Sequence, residues 1–430
     1  MEGNIMNILV VSEASWNNTN SFGNTVSNWF EDWEGDRFFS FYTRKQLPEN
    51  KVAEMYYNVS AIEVVKDFLG RKVINKCFSS EDIDRKAAEQ IERQSKEQKQ
   101  IDRLHKKKRE FVYFVMEQVW LSKVWIKEEL KRFIDEEAKP DILFAFATSP
   151  FVLLPLIKYV KKKNKKIVLF IADDVYSAYS DMAWYRRKYL QKTFCECIQY
   201  ADKLYGASKE LCDVYGKQFD KIVSPLYKGG RISFDNVKKG GEVLKFVYAG
   251  NLLYGREEVL CELAKVLKEI NKDETKAVLE IYTGTTLTPR LEDMLHVEGT
   301  SFLMGARSYD EIKNILKNAD VVLHVESFEK KQIDCVHLSL STKIVDCLQC
   351  GSGVLGIGPK GIASIEYIRR IPGTYVIDDI VYLKDRVQDI VINKRNLPSR
   401  IMKIREFAST NHDIDVIRKR LKKEFEELLT

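Results

Sequence analysis

The feature that most constrains this sequence is an alternation of strands and helices that stops once and then begins again. Apolar runs such as 7–12 and 166–171 are typical of buried strands, and helical segments follow them. Between residues 219 and 243 the pattern lapses into polar residues and paired glycines, and it restarts at Leu244. Such alternation predicts right-handed crossovers and mostly parallel sheets. We therefore expect an α/β protein with two similar halves, whose sheets face each other across a cleft.

The same breaks predict the domain boundaries. The first domain is expected at 1–225 with a helical insertion at about 81–136, followed by a linker at 226–243 and a second domain at 244–398. The charged helical stretch 399–430 is expected to cross back to the first domain. Length agrees with this division, because 430 residues suffice for two domains of roughly 100–200 residues each.

Composition and motifs exclude several classes of protein. Hydrophobic residues make up 45% and charged residues 31% of the chain, which is typical of a folded protein. We expect no secretory signal, and no apolar run reaches the roughly 18 residues that a membrane helix needs. The 8 dispersed cysteines are expected to be reduced thiols of a cytoplasmic protein. A net charge of +6 does not indicate nucleic-acid binding.

Cofactor motifs are also missing from the sequence. No G-x-G-x-x-G follows the first strand, and no Walker A sequence occurs, so no nicotinamide, flavin or other cofactor is expected. The C-x-x-C at Cys347 and Cys350 has no second pair at zinc spacing, and no metal site is expected there.

Ligands of open α/β sheets bind beyond the carboxyl ends of the strands. In the first half, Gly23 stands at a helix start after the first strand, where a close backbone approach to an anion or a plain turn explains a glycine. Asp173 and Asp174 follow the strand at 166–171. Paired carboxylates there suit a metal ligand, a general base, contact with an acceptor hydroxyl, or a helix cap.

In the second half, Asn251 follows the first strand and Arg256 begins the next helix, while Lys343 and Asp346 share a later helix. Two cations beyond strand ends suit a diphosphate, and solvated surface cations are the alternative. Asp346 is placed either to accept from ribose hydroxyls or to pair with Lys343 within the helix. Glu326 ends another strand and is expected to point toward the cleft.

A basic stretch beside aromatic residues stands in the predicted insertion. It consists of Lys106, Lys107, Lys108 and Arg109, followed by Phe111, Phe114, Trp120 and Trp125. Such a stretch suits an anionic membrane surface. The alternative is a helical hairpin with the aromatic residues in its core and the lysines in water.

Four elements of the second half form a set. They are the strand and loop Phe246-Val247-Tyr248-Ala249-Gly250-Asn251, Gly305 before a later helix, the strand Ala319-Asp320-Val321-Val322-Leu323, and the segment Ser341-Thr342-Lys343-Ile344-Val345-Asp346-Cys347-Leu348-Gln349-Cys350-Gly351. The set resembles the motifs of retaining GT-B glycosyltransferases, in particular family 4. The resemblance extends over almost the whole chain and is clearest from residue 244 to residue 358.

The resemblance implies a GT-B fold with two facing Rossmann-like domains and an interdomain cleft. It implies transfer of a hexose, with retention, from a nucleotide-diphosphate sugar to a saccharide or lipid-linked saccharide in surface polysaccharide biosynthesis. A UDP-sugar is favoured as donor over a GDP-sugar. It also implies a cytoplasmic protein with peripheral contact to the inner face of the cell membrane.

The resemblance also implies roles for individual residues. Arg256 and Lys343 would hold the diphosphate and Asp346 the ribose, with Asn251 beside them in the donor site. Backbone near Gly305 would contact the base, and Gly23 would approach the phosphates from the other domain.

One family feature is altered here. Family members often carry two Glu residues separated by seven positions, and these correspond here to Leu338 and Asp346. The sugar-contacting carboxylate is then expected from Glu326 or Glu329, and Glu326 and Asp173 are the catalytic candidates. Two alternatives stay open, namely a catalytically degenerate GT-B partner subunit and a GT-B-like nucleotide-sugar epimerase.

Overall fold

The structure, a computed structural model, describes residues 5–17, 21–68, 70, 77–84, 106–177, 182–232 and 241–430. The chain divides into two compact units. The first consists of Met1–Leu226 together with Arg418–Thr430, and the second is Tyr227–Ile417. Each unit contains one mainly parallel sheet with helices, so the predicted α/β class with two Rossmann-like halves is confirmed.

The first unit is built on an eight-stranded sheet in the order β4-β3-β2-β1-β5-β6-β7-β8. All neighbouring strands are parallel except β3 and β4, which are antiparallel. Central strands are buried at almost every position, as expected for a parallel sheet covered on both faces. The strands are β1 Asn7–Ser12, β2 Arg37–Tyr42, β3 Met55–Asn58, β4 Cys77–Ser79, β5 Ile142–Phe146, β6 Lys166–Ile171, β7 Lys203–Gly206 and β8 Val223–Pro225.

Helices connect these strands. They are α1 Ser21–Phe30, α2 Ala61–Phe68, α3 Lys106–Leu121, α4 Glu128–Arg132, α5 Pro150–Lys161, α6 Trp184–Tyr200 and α7 Lys209–Phe219, with a 3-10 turn at Ser80–Asp82 and π-helical turns at Phe133–Ala138.

Sequence predicted one long helical stretch at 81–136. Residues 85–105 lie outside the described residues, and between 106 and 136 the structure has two helices, because α3 ends at Leu121. Lys123 there adopts a φ of 63°, in the left-handed region, which ends a right-handed helix.

The second unit is built on a six-stranded, entirely parallel sheet in the order β11-β10-β9-β12-β13-β14. Its strands are β9 Leu244–Ala249, β10 Ala277–Tyr282, β11 Ser301–Leu303, β12 Val321–Val325, β13 Gly353–Ile357 and β14 Tyr375–Ile377. Its helices are α8 Arg256–Ile270, α9 Pro289–Leu295, α10 Tyr309–Lys317, α11 Lys330–Val336, α12 Lys343–Gln349, α13 Ala363–Arg370, α14 Leu383–Ile392 and α15 Leu397–Asn411, with 3-10 turns at Ile380–Tyr382 and Lys394–Asn396. The last helix, α16 Ile414–Leu429, belongs to the first unit from Arg418 onward.

Strand order identifies one position in each sheet where a ligand is expected. The order reverses between β1 and β5 in the first sheet and between β9 and β12 in the second. In open α/β sheets the carboxyl ends of strands at such a switch point form the ligand site. Among the described helices, none has the length and apolar character needed to cross a membrane.

Candidate functional site

The switch point of the second sheet is shaped by a tight turn after β9. Tyr254 and Gly255 both adopt left-handed backbone conformations, with φ of 63° and 72°. A side chain at Gly255 would also collide with Ser327, because a Cβ there would lie 2.6 Å from the Ser327 Oγ. The turn therefore requires glycine, and it sets Arg256 at the first position of α8.

Arg256 is held by groups from both strands of the switch point. Its Nη2 and Nε donate to Glu326 Oε2 at 3.0 and 3.2 Å, and Nε also donates to the Val325 carbonyl at 3.1 Å. Nη1 donates to Asn251 Oδ1 at 2.7 Å. The guanidinium is thereby fixed in one orientation, since a planar fork with several bonds has little freedom.

Glu326 lies behind Arg256 and is almost entirely enclosed. Its side chain is 3% exposed, and Oε1 lies 3.1 Å from His324 Nε2. Burial alone would raise the pKa of this carboxyl. The contacts with His324 and Arg256 outweigh burial, so the pKa of Glu326 is lowered from its usual value. Glu326 is therefore a buried carboxylate whose contacts are to Arg256 and His324.

Lys343 brings a second cation to the same switch point. Its Nζ lies over the Cα of Gly250, where an added Cβ would be only 2.5 Å away. Burial, and then repulsion by Arg256, lowers the pKa of the Lys343 ammonium. Within the described part of the chain this ammonium makes no hydrogen bond or ion pair. Two cations that lie close together and away from water create a positive potential, which favours binding of an anion.

Asp346 follows Lys343 on α12 but does not pair with it. Its Oδ1 accepts from Lys228 Nζ at 3.2 Å, from Gln349 Nε2 at 3.2 Å and from the Tyr309 hydroxyl at 3.4 Å. All three contacts fall on one oxygen. Among the described residues, Oδ2 has no such partner, and the side chain is 16% exposed. Oδ2 is thus the oxygen that a ligand hydroxyl can reach.

The remaining candidates of the second unit stand apart from this cluster. Gly305 has a φ of 72°, and its carbonyl accepts from the Thr283 N–H at 3.1 Å, which ties the loops after β11 and β10 together.

Leu338 is buried in the apolar interior, whereas Glu329 is exposed. The position that carries the first Glu in the resembling family is therefore a core position here.

In the first unit, Gly23 lies in the first turn of α1 against Ser15 and Asn17. An added Cβ would collide with the Ser15 carbonyl and the Asn17 amide, so the position excludes every side chain. The two aspartates after β6 differ from each other. Asp173 is exposed, whereas Asp174 is buried and accepts from the Tyr215 hydroxyl at 2.7 Å.

The basic and aromatic stretch is divided between core and surface. Trp120 and Trp125 are buried, and the Trp125 indole N–H donates to the Trp120 carbonyl at 2.7 Å. These two aromatics lie in the core, as the hairpin alternative expects. Phe111, in contrast, is 61% exposed. The side chains of Lys106 and Lys107 lie outside the described residues.

Among residues 5–17, 21–68, 70, 77–84, 106–177, 182–232 and 241–430, no group of three or more His, Cys, Asp or Glu side chains is arranged to hold a metal ion.

Comparison with solved structures gives matches along nearly the whole chain. HepE of Anabaena, crystallised with UDP, matches 98% of this chain and 100% of its own at 10% identity and a TM-score of 0.61. A glycosyltransferase from Rickettsia africae matches 99% of both chains at 12% identity and a TM-score of 0.61. Sucrose-phosphate synthase from Thermosynechococcus elongatus matches 98% of both at 10% identity and a TM-score of 0.58. These are GT-B glycosyltransferases.

This chain has the GT-B fold. The fold predicted from the resemblance is thereby confirmed, and at these identities the likeness extends to the fold alone. No family model and no curated protein matches the sequence.

Sequence did not predict the residues that hold the site carboxylates of this GT-B chain. Lys228 and Tyr309 contact Asp346, and His324 contacts Glu326. The contact between His324 and Glu326 could have been predicted, because residues two apart on a strand share a face. Lys228 stands in the predicted linker, where only the adjacent Gly229 and Gly230 indicated close packing.

Proposed function

We propose that this protein is a glycosyltransferase that moves a hexose, with retention, from a nucleotide-diphosphate sugar to a saccharide or lipid-linked saccharide in surface polysaccharide biosynthesis. One observation carries the donor part of the proposal. Lys343 is a half-buried cation beside Arg256, and among the described residues its ammonium makes no ion pair, because Glu326 and Asp346 act on it only from a longer distance. A diphosphate supplies the missing negative charge in a site where water screens it poorly.

The donor of the proposed reaction is a UDP-sugar, with a GDP-sugar as the alternative to test. Support comes from the fold relatives, since HepE was crystallised with UDP-glucose and the E. coli trehalose-6-phosphate enzyme with UDP-2-fluoro glucose. In this proposal Asp346 Oδ2 accepts from a ribose hydroxyl. Asn251 borders the diphosphate, and the backbone near Gly305 borders the base.

The proposed reaction depends on positioning of the donor and the acceptor, and it needs no side chain to act as the general base. The acceptor oxygen forms a bond to the anomeric carbon as the bond from that carbon to the diphosphate breaks. The acceptor proton passes to an oxygen of the leaving diphosphate, whose growing charge Arg256 and Lys343 stabilise. Glu326 serves this step by holding Arg256. In the first unit, we assign Gly23 to phosphate approach and Asp173 to the acceptor hydroxyl.

The test is calorimetric titration with UDP, GDP and ADP on wild type and on Lys343→Met. Loss of a charge-assisted bond costs about 1.5–3 kcal/mol, so affinity for the preferred nucleotide should fall roughly 10- to 150-fold. Lys268→Met removes an exposed cation of α8 and is the matched control. Equal affinities of wild type and Lys343→Met would refute the donor site.

Activity is separated from binding by incubating the protein with UDP-sugars alone. Slow release of free sugar indicates a working transferase. Conversion to an isomeric UDP-sugar indicates the epimerase alternative, and binding without either reaction indicates the degenerate subunit.

We further propose peripheral contact with the inner face of the cell membrane through an aromatic face of the first unit. This face consists of Phe111 and Val115 on α3 and Trp184 and Tyr189 on α6, all exposed. The cations Lys108, Lys188 and Lys192 are exposed on the same two helices. Exposed aromatics beside cations suit an anionic lipid surface.

A further inference from the structure

The second unit contains a buried histidine that the proposed donor site does not use. His412 is fully buried, and both ring nitrogens have partners. Nδ1 lies 3.0 Å from the Lys228 carbonyl oxygen, and Nε2 lies 2.6 Å from the Tyr367 hydroxyl. A carbonyl only accepts, so Nδ1 carries the proton and Nε2 accepts from the Tyr367 O–H.

His412 belongs to a short segment that fixes the main chain around Lys228. The Gly230 N–H donates to the His412 carbonyl at 2.7 Å, and the Ile414 N–H donates to the Gly230 carbonyl at 3.2 Å. Gly229 packs so closely that an added Cβ would lie 2.6 Å from Ile414 Cδ1. Together with the imidazole bond, these contacts hold three successive residues, 228 to 230.

The side chain of Lys228 connects this anchored segment to the proposed ribose carboxylate. It is only 8% exposed, and its Nζ lies 3.2 Å from Asp346 Oδ1. A lysine has a long flexible stem, so its ammonium occupies a fixed place only when its backbone and surroundings are fixed. With Oδ1 bound by Lys228, Tyr309 and Gln349, the carboxylate is oriented with Oδ2 toward a ligand.

We propose that His412 is a positioning residue for Asp346, acting through the backbone and ammonium of Lys228. The inference deepens the proposed function and rests on it, because the consequence of the positioning is ribose binding. In this proposal His412 increases the affinity of the protein for the nucleotide although it does not contact the nucleotide.

The test compares two substitutions of His412. Both remove the hydrogen bond with the Tyr367 hydroxyl, and only one of them also removes the hydrogen bond to the Lys228 carbonyl. His412→Asn keeps an N–H near the place of Nδ1 that can donate to the Lys228 carbonyl, whereas His412→Leu has no donor. Both lose the bond from Tyr367, so both should lower the melting temperature. We expect the Kd for UDP to stay within twofold of wild type in His412→Asn and to rise at least fivefold in His412→Leu. Phe407→Leu, which loosens packing beside Tyr367, is the control for stability alone.

Two outcomes overturn the proposal. One is a wild-type Kd in His412→Leu. The other is an equal rise in Kd in both variants, which would assign the effect to packing of the ring. The route through Lys228 is tested in a Lys228→Met background, where His412→Leu should change the Kd by less than twofold. A full fivefold rise in that background would also overturn the proposal.

A result in which wild type binds no nucleoside diphosphate would refute the proposed function instead. In that case urea unfolding of His412→Leu, Asp346→Asn and the double variant tests the positioning alone. We expect their effects on stability to be non-additive, and additive once Lys228 is replaced by Met. Additive effects in the presence of Lys228 would overturn the inference independently of any nucleotide.

Discussion

The Lys343 ammonium lies directly over the Cα of Gly250, at a distance that leaves no room for a side chain. An added Cβ would be 2.5 Å from Nζ and 3.0 Å from the Tyr248 hydroxyl. The Tyr248 hydroxyl is itself fixed, because it is buried and donates to the Asn251 carbonyl at 2.6 Å. Of the two neighbours, the flexible lysine end is therefore the one that must move if the glycine is replaced.

Gly250→Ala is thus expected to act on the donor site without changing any charge. We expect an approximately tenfold weaker affinity for UDP by calorimetry and a stability change of about 1 kcal/mol or less by urea unfolding. Gly284→Ala is the matched control. Gly284 lies two residues after β10, in the loop that corresponds to that of Gly250, but a Cβ there meets only Ala306, at an ordinary 3.7 Å. Unchanged UDP affinity in Gly250→Ala would contradict the assigned place of Lys343.

Glu326→Gln separates positioning of Arg256 from contact with the sugar. The amide keeps the shape of the carboxylate but weakens its bonds to Arg256, whose side chain is 14% exposed. If Glu326 acts through Arg256, affinity for UDP and the rate of sugar release should both fall, by roughly 1.5–3 kcal/mol in binding. A variant with unchanged UDP affinity and a lower kcat would indicate direct contact with the sugar.

The exposed Glu329 is the other carboxylate that sequence suggested for the sugar. Glu329→Gln should therefore be measured in parallel, with the same UDP-sugar. We expect its kcat and UDP affinity to match those of wild type, and a selective fall in kcat would transfer the role to Glu329.

The main strands and the site cations could be predicted from sequence because their signals are local. Runs such as Leu244–Ala249 and Val321–Val325 are apolar except at Lys245 and His324, as expected for parallel strands covered on both faces. Arg256 and Lys343 follow from their places at helix starts beyond strands. The strands that sequence missed all have only three or four residues, a length that gives little periodicity to detect, although the equally short Lys203–Gly206 was predicted. They are Met55–Asn58, Cys77–Ser79, Val223–Pro225 and Tyr375–Ile377.

The partners of the site residues could not be predicted because they are distant in sequence. Lys228 and Asp346 are 118 positions apart, and His412 is 184 positions from Lys228. Sequence offered Lys343 as the local partner for Asp346, three residues away on the same helix. The structure pairs Asp346 with Lys228 instead, and only the folded arrangement of the second unit brings these two side chains together.

His412 also predicts a dependence of stability on pH. Burial lowers the pKa of His412 from 6.5 to about 4, so between these values the unfolded chain binds a proton that the folded chain does not. Stability should therefore fall as pH decreases through this window. At pH 5 the loss from this group is about 2 kcal/mol relative to pH 7.5. In urea unfolding, His412→Asn should have a correspondingly smaller loss, and identical losses in both proteins would contradict the buried neutral imidazole.

The aromatic face of the first unit predicts how membrane binding should divide between apolar and electrostatic parts. Trp184 is 77% and Phe111 61% exposed, and the ring of Phe114 contacts the rings of Tyr185 and Tyr189 at centroid distances of 5.2 and 5.5 Å. Between the two helices, Glu110 and Glu117 both pair with Arg186. One guanidinium offsets only one of these two carboxylates, and the exposed Lys108, Lys188 and Lys192 outnumber the negative charge that remains.

We therefore expect sedimentation with anionic liposomes and much less with neutral ones. Each lysine near the surface contributes about 1 kcal/mol, and salt should screen this part, so Lys108→Glu/Lys188→Glu should abolish the preference for anionic lipid. Trp184→Ser/Phe111→Ser should instead remove the binding that survives high salt. Ile222→Ser, which removes another exposed apolar side chain of the same unit, is the control. Equal partitioning of wild type and both double variants would establish that this face is an ordinary solvated surface.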